Sequence, residues 1–167
     1  EWDFDKSLDC DLLQYEPHEK LQKYLHDLNA LCSAEPAMFE RDFTPEGFEW
    51  IDFRNSDAGV VSFIRKASDP DDFLVFVFNF TPLPRRDYIV GVPKKGVYRE
   101  IINSDSASYW GSNVGNAGWA VSEERRSYQW PFSLRLTLPP LGMLAFKLEE
   151  PPITADVSEK RKKDIRP

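Results

Sequence analysis

Residues 132–138 read "FSLRLTL", in which apolar and polar side chains alternate. A period of two is that of a β-strand with one buried face and one wet face. Six similar short runs of branched and aromatic residues occur elsewhere: "FEWIDF" (48–53), "GVVSFIRK" (59–66), "FLVFVFNF" (73–80), "DYIVGV" (87–92), "VYREII" (97–102) and "MLAFKL" (143–148). Turn-forming residues separate nearly all of them, so the sequence predicts a mainly β protein, an antiparallel β-sandwich of about seven strands.

Two segments depart from simple alternation. The run at 73–80 is apolar on both faces, which predicts a central strand. Residues 17–33 have a helical period instead, and their apolar side chains are predicted to form one stripe: Leu21, Tyr24, Leu25, Leu28, Leu31 and Cys32. This amphipathic helix needs an apolar partner, which is either the sheet or the remainder of a larger domain.

Length and charge limit the functional classes. A chain of 167 residues suits about one domain. Its 21 basic and 28 acidic side chains give a net charge of −7, so the sequence predicts no nucleic-acid partner and no anionic membrane partner. No apolar run reaches the roughly 18 to 20 residues of a membrane span. Cys10 and Cys32 are too few for a disulfide framework, which favours a cytoplasmic protein with reduced thiols.

The polar loop "INSDSASYWGSNVGNAG" (102–118) is glycine-rich but has no known phosphate-binding pattern. Neither a Gly-Lys-Ser/Thr ending nor Gly-x-Gly-x-x-Gly occurs in it. The two histidines, His18 and His26, lie on the predicted helix, and the acidic run at 69–72 lacks the ligand spacing of a calcium loop. The sequence therefore predicts no cofactor, no metal site and no complete catalytic site.

Aromatic side chains are the remaining signal, since they make up 14% of the chain. Exposed tryptophan and tyrosine rings stack on sugar rings. Alternation in the run 48–53 places Trp50 and Asp52 on one face and Phe53 on the other, so Trp50 is expected beside a carboxylate. The aromatic residues flanking the polar loop are also candidates: Tyr109, Trp110 and Trp119. Packing in the core is the alternative role for each of them.

Four segments resemble a known family. They are "HDLNALCSAEPAMFERDFTPEGFEWIDF" (26–53), "FVFNFTPLPRRDYIVGVPKKGVYREIINSD" (76–105), "YWGSNVGNAG" (109–118) and "LRLTLPPLGMLAFKL" (134–148). They resemble, in order, the carboxy-terminal part of bacterial glycogen branching enzymes, the 1,4-α-glucan branching enzymes of the α-amylase superfamily. The resemblance covers roughly residues 1–148.

The resemblance implies a domain organisation. That family has an amino-terminal sandwich, a (β/α)₈ barrel and a carboxy-terminal all-β domain. Residues 1–35 would then be the end of the catalytic barrel, with its last βα loop and outer helix, and residues 36–148 the β-sandwich. Residues 149–167 have almost no apolar side chains and are expected to form a disordered tail.

The resemblance also implies an activity and partners. Such enzymes cleave an α-1,4 linkage and pass the glucan chain to a 6-hydroxyl by retaining double displacement. The family's catalytic carboxylates would all lie upstream of Glu1, so no catalytic residue is expected in this chain. The implied partners are α-1,4-glucan chains, such as glycogen and amylose, and the upstream barrel.

The resemblance favours Trp2 and Trp50 as glucan contacts. Trp2 would lie on a loop at the carboxy-terminal face of the barrel, where active sites are built. Trp50 matches a family tryptophan implicated in glucan contact. Cys10 and Trp110 depart from the family pattern, which often has tryptophan and glycine there, and this puts sugar contacts near them in doubt.

Two other interpretations stay open. The chain is alternatively a stand-alone, non-catalytic β-sandwich for carbohydrate binding or assembly. A third interpretation is a different α-amylase relative, such as a trehalose-forming or debranching enzyme. The presence or absence of an upstream barrel distinguishes the branching-enzyme interpretation from the stand-alone sandwich.

Overall fold

The computed structural model describes residues 3–149, except Lys6, Leu8 and Asn55. These residues form one α-helix and eight β-strands. The bounds are α1 (Glu16–Ala34), β1 (Phe48–Asp52), β2 (Val60–Lys66), β3 (Phe73–Asn79), β4 (Arg85–Val92), β5 (Val97–Asn103), β6 (Trp119–Val121), β7 (Phe132–Leu138) and β8 (Gly142–Glu149). The predicted helix and all seven predicted strands are confirmed, and only the short β6 was not predicted.

The strands form two antiparallel sheets, as predicted. The larger sheet has the order β1-β2-β3-β8-β5-β6, and the smaller one contains β4 and β7. The prediction that β3 is central is confirmed, because it lies between β2 and β8. Its odd-numbered and even-numbered side chains are buried on opposite faces of the sheet, as in Val75 and Phe76. A strand covered on both sides reads as a continuous apolar run.

The main core lies between the two sheets. Leu134, Leu136 and Leu138 of β7 are each at most 1% exposed and pack against the inner face of the larger sheet. Burying one such side chain contributes about 2 kcal/mol. Tyr98 of β5 is also fully buried, and its hydroxyl donates a hydrogen bond to the Lys94 carbonyl oxygen at 2.8 Å. This bond satisfies the one polar group that the tyrosine brings into the core.

The polar face of β7 is only partly wet. Arg135 is exposed as predicted, but Ser133 is fully buried. The reason is a backbone bridge between Ser133 and Glu123, in which each amide donates to the other residue's carbonyl oxygen. The segment before β7 therefore covers the start of the β7 face that points away from the main core.

Helix α1 packs on the other face of the larger sheet, which we call the outer face. Tyr24, Leu28 and Leu31 contact a second cluster that includes Phe76 of β3 and Met143 of β8. Only part of the predicted stripe is covered by the sheet, because other members of the stripe are exposed: Leu21 by 55% and Leu25 by 50%. The sheet therefore covers one edge of the stripe and leaves the other edge uncovered.

Two predictions fall at the chain ends. Trp2 and residues 150–167 lie outside the described residues. Glu149 is the last residue of β8. Among the residues that the structure describes, no helix has both the length and the apolar character needed to cross a bilayer.

Candidate functional site

Trp50 lies on β1 at the edge of the larger sheet. Its ring contacts Phe48 at 4.8 Å and Phe63 at 6.0 Å between ring centroids, both nearly perpendicular. These two rings hold the indole from the sheet side, and 42% of the residue stays exposed. The structure therefore presents a fixed, partly open tryptophan face.

A β-bulge changes the faces predicted for this strand. Trp50 pairs with Phe63 of β2, but Asp52 pairs with the next residue, Ser62, so Ile51 is an extra residue. Simple alternation fails beyond a bulge because one residue has no partner opposite it. The prediction that Phe53 points away from Trp50 is wrong, since their rings lie 5.2 Å apart.

The bulge helps to form a small cleft of about 140 Å³. Its lining residues are Trp50, Ile51, Asp52, Phe53, Arg54, Tyr128 and Gln129. The Tyr128 hydroxyl donates a hydrogen bond to Asp52 Oδ2 at 3.2 Å, and Gln129 Nε2 donates to the Trp50 carbonyl oxygen at 3.3 Å. The charge of Asp52, more than burial or this bond, raises the pKa of the Tyr128 hydroxyl.

Aromatic faces and polar groups meet in this cleft. Trp50 and Phe53 are tilted by 48° to one another, and the Arg54 guanidinium lies 5.6 Å from the Phe53 centroid. Retaining and inverting glycosidases need a pair of carboxyl groups, whereas among the residues that the structure describes Asp52 alone supplies a carboxylate to the cleft. The geometry suits binding of a neutral polar ring and offers no acid/base couple.

Tyr128 and Gln129 were not predicted from the sequence. They lie in the irregular segment before β7, where no period points to a face. Tyr128 has a φ of 52°, which a non-glycine residue rarely adopts, and this conformation is visible only in the structure. The available signal was an aromatic residue among polar neighbours, which is weak by itself.

Tyr109 stands elsewhere, against α1. Its hydroxyl donates a hydrogen bond to Asp27 Oδ2 at 2.9 Å, and its ring lies edge-on to Tyr24 at 5.1 Å. Burial, followed by the bond to Asp27, raises the pKa of Tyr109 to about 12. Contacts with the helix therefore account for this residue without a ligand.

Trp110 and Trp119 are exposed by 61% and 57%. Trp110 ends the short 3-10 helix Ala107–Tyr109 with a left-handed φ of 69°. Trp119 begins β6 and pairs with Arg99 of β5. Neither residue lines the cleft at Trp50, so the structure does not gather the aromatic candidates into one site.

The polar loop at 102–118 is closed by its own side chains. Asp105 accepts hydrogen bonds from the Ser112 amide and hydroxyl and from the Val114 amide, at 2.7 to 2.9 Å. A Cβ at Gly111 would lie 2.2 Å from the Asp105 carbonyl oxygen, so only glycine fits there. In the described part of the chain, no three His, Cys, Asp or Glu side chains are placed to hold a metal ion.

Comparison with protein families decides the classification. Residues 50–149 match the family model described as "Alpha amylase, C-terminal all-beta domain". The chain belongs to this family. The resemblance implied an alpha-amylase C-terminal all-β domain, and this expectation is confirmed. The two-sheet architecture agrees with it.

Curated relatives of this C-terminal domain carry the name "1,4-alpha-glucan branching enzyme GlgB". One from Synechococcus sp. (strain JA-3-3Ab) is 45% identical over 161 residues, which are 96% of this chain and 21% of the relative. One from Aquifex aeolicus (strain VF5) is 47% identical over 149 residues, 89% of this chain and 24% of the relative. The chain is thus homologous to the C-terminal region of branching enzymes, and it spans about a fifth of their length.

Proposed function

We propose that this chain is the C-terminal region of a cytoplasmic 1,4-α-glucan branching enzyme that forms α-1,6 branch points by retaining chain transfer. In this role residues 1–35 complete a catalytic barrel, and the β-sandwich packs on that barrel and contacts α-1,4-glucan such as glycogen or amylose. The catalytic carboxylates belong to the barrel. Identity of 45% over nearly the whole chain supports the assignment, and the free thiols of Cys10 and Cys32 suit the cytoplasm.

The observation that carries the docking role is the apolar surface left uncovered beside α1. Leu21 and Leu25 are half exposed on the helix. A groove of about 340 Å³ runs beside the helix, and its apolar walls include Tyr24 and Phe78. At its rim Phe80 and Leu141 are exposed by 64% and 71%.

This apolar surface extends beyond the groove. Phe80 stacks on Phe78 at 5.9 Å with only 8° between the ring planes, so the aromatic surface continues from the groove outwards. Contiguous exposed apolar patches mark sites of protein contact. The matched region is 21% of the Synechococcus relative and 24% of the Aquifex relative, and the rest of such a protein supplies the partner that we propose. The alternative of a stand-alone sandwich leaves the surface without an occupant.

A chimera tests the docking role. In it, this chain replaces the matching region of the Aquifex aeolicus relative, and branching of amylose is followed by iodine staining. We expect an active chimera, and strong loss of activity when Leu25→Glu and Phe80→Asp are introduced together. Glu19→Gln, on an exposed position of the same helix, is the control. An inactive but folded parent chimera, or an unaffected double variant, contradicts the proposal.

We also propose that the cleft at Trp50 contacts glucan. Phe48 and Phe63 fix the orientation of the partly exposed indole, and Phe53 adds a second aromatic face. Asp52 and Gln129 place polar groups next to these rings. A site for a neutral sugar needs both, because aromatic rings stack on the faces of the sugar and polar groups bind its hydroxyls. Trp2, Trp110 and Trp119 remain candidates for further contacts, and Tyr109 is the weakest because α1 engages it.

A further inference from the structure

A second, larger pocket lies where the polar loop folds back over β5. It has a volume of about 470 Å³, within the usual 300 to 1,000 Å³ range of small-molecule sites. We call it the Glu100 pocket, and its main lining residues are Glu100, Asn103, Ser106, Asn113, Gly115 and Asn116. β5 lies four strands from β1 in the larger sheet, about 19 Å at the usual strand spacing, so this pocket is separate from the cleft at Trp50.

The walls of the Glu100 pocket are held in place by hydrogen bonds. Asn116 Nδ2 donates to Glu100 Oε2 at 2.9 Å and to the Thr137 carbonyl oxygen at 3.2 Å, and Asn116 Oδ1 accepts from the Thr137 amide at 2.8 Å. Asn103 Nδ2 donates to the Val114 carbonyl oxygen at 3.0 Å. The pocket is therefore organised before any ligand arrives.

Three polar groups in the pocket remain unused. Glu100 accepts through Oε2, while Oε1 takes part in none of the hydrogen bonds of the described residues. Asn113 accepts through Oδ1 from the Ala107 amide at 3.4 Å, which leaves its NH₂ group unused. Ser106 Oγ accepts from the Ser108 amide at 3.2 Å, which leaves the hydroxyl proton available. One charged acceptor and two neutral donors are thus available to a ligand.

Glycine keeps the floor of this pocket open. A Cβ at Gly115 would lie 2.4 Å from Asn103 Nδ2 and 3.3 Å from Glu100 Oε1. Any side chain at this position would therefore collide with the wall or cover the free carboxylate oxygen. The absence of a side chain at Gly115 keeps the Asn103 amide in place and preserves access to Glu100.

The chemistry of the lining selects among ligand classes. The lining residues in the described chain include the Glu100 carboxylate and no lysine or arginine, which disfavours phosphate and other anions. A single carboxylate is too few ligands for a metal ion. Neutral vicinal hydroxyls both donate and accept hydrogen bonds, so they match a carboxylate oxygen next to amide and hydroxyl donors.

We propose that the Glu100 pocket is a second carbohydrate site, which binds one glucose unit of an α-glucan chain through its hydroxyl groups. The identity of the sugar rests on the proposed function, while the pocket itself rests on the geometry above. Trp119 directly follows Gly118 at the pocket edge and is exposed, so it is positioned in sequence to extend the contact to a neighbouring sugar.

Nitrogen-15 NMR of the whole chain titrated with maltoheptaose tests the two sites separately. We expect saturable shifts of the Asn113 side-chain amide and the Gly115 amide, with an apparent Kd distinct from that read at the Trp50 indole. Glu100→Gln keeps an oxygen for Asn116 but replaces the free acceptor with a donor. Asn113→Gly removes the side chain and keeps the left-handed φ of 63°.

Each variant is expected to raise the Kd of the Glu100 pocket roughly three- to tenfold, as loss of one hydrogen bond does. The Kd at Trp50 stays within twofold, and Glu46→Gln, an exposed position outside both sites, changes neither. Dispersed amide spectra establish that each variant is folded. Shifts at Trp50 without shifts in the Glu100 pocket overturn this inference alone. The absence of shifts at both sites overturns the proposed glucan contact as well.

Discussion

The Tyr109 hydroxyl donates a hydrogen bond to the Asp27 carboxylate and so ties the polar loop to α1 across 82 residues of sequence. The same carboxylate accepts from Lys23 at 2.5 Å, one helical turn earlier. Lys23 also lies 5.3 Å from the centroid of the Tyr109 ring. This cluster is the polar complement to the apolar contact of α1 with the outer face.

Tyr109→Phe is expected to loosen α1 from the sheet. The variant keeps the ring contact with Tyr24 but removes the donor to Asp27, so Tm falls by a few degrees and the amides of α1 exchange faster with solvent. Thermal unfolding and hydrogen exchange measure the two effects. Tyr15→Phe, at an exposed tyrosine before the helix, is the control and leaves both unchanged. Equal behaviour of the two variants contradicts a role for the hydroxyl.

Stability is expected to fall in acid because of Asp27. The hydrogen bond from Lys23, followed by those from His26 and Tyr109, lowers the pKa of Asp27 from 3.8 to about 2. A carboxyl whose pKa is depressed by folding stabilises the fold above its unfolded pKa and loses that effect as pH falls through the folded pKa. Urea unfolding between pH 4 and 2 therefore shows a shallower loss of stability for Asp27→Asn than for the parent. An unchanged slope contradicts this account.

Leu136→Ala is expected to destabilise the sandwich strongly. Leu136 is 1% exposed between the two sheets, so the substitution removes buried apolar surface and leaves a cavity. Such changes cost about 2 to 5 kcal/mol in the free energy of unfolding. Leu83→Ala, at a residue 61% exposed, is the matched control and changes it by about 0.5 kcal/mol or less. Urea denaturation distinguishes the two, and similar values for both place Leu136 outside the essential core.

Trp50→Ala is expected to weaken glucan binding. Loss of one stacking partner lowers affinity roughly three- to tenfold. Retardation in native gels that contain amylose or glycogen measures this change. Phe43→Ala removes an aromatic ring that is 97% exposed and outside the cleft, so its mobility matches the parent. Unchanged retardation of Trp50→Ala returns Trp50 to a packing role.

Local patterns predicted most of the elements of this protein. A period of two in β7 and an apolar run in β3 depend only on residues close in sequence, and each identifies a strand and its exposure. β6 was missed because three residues are too few for a period. It is held as a strand by pairing with β5, for example between Ala120 and Tyr98.

The sequence predicted only Trp50 and its neighbour Asp52 in the candidate site. Trp50 stood out as a tryptophan on a mixed strand, but the bulge at Ile51 turns Phe53 towards it. Tyr128 reaches Asp52 across 76 residues of sequence, and no local pattern encodes such a pairing. The Glu100 pocket was likewise hidden, although its asparagines were visible in the polar loop.

The amino-acid sequence by itself determined the antiparallel strands, the central position of β3, the helix and the family, because periods and motifs are local properties of the chain. Tertiary structure alone decided which edge of the α1 stripe is covered, where the bulge turns β1, and which loops meet Trp50 and Glu100. The reason is that these features arise from contacts between distant segments, whose side chains take their positions only when the two sheets and the helix have packed together.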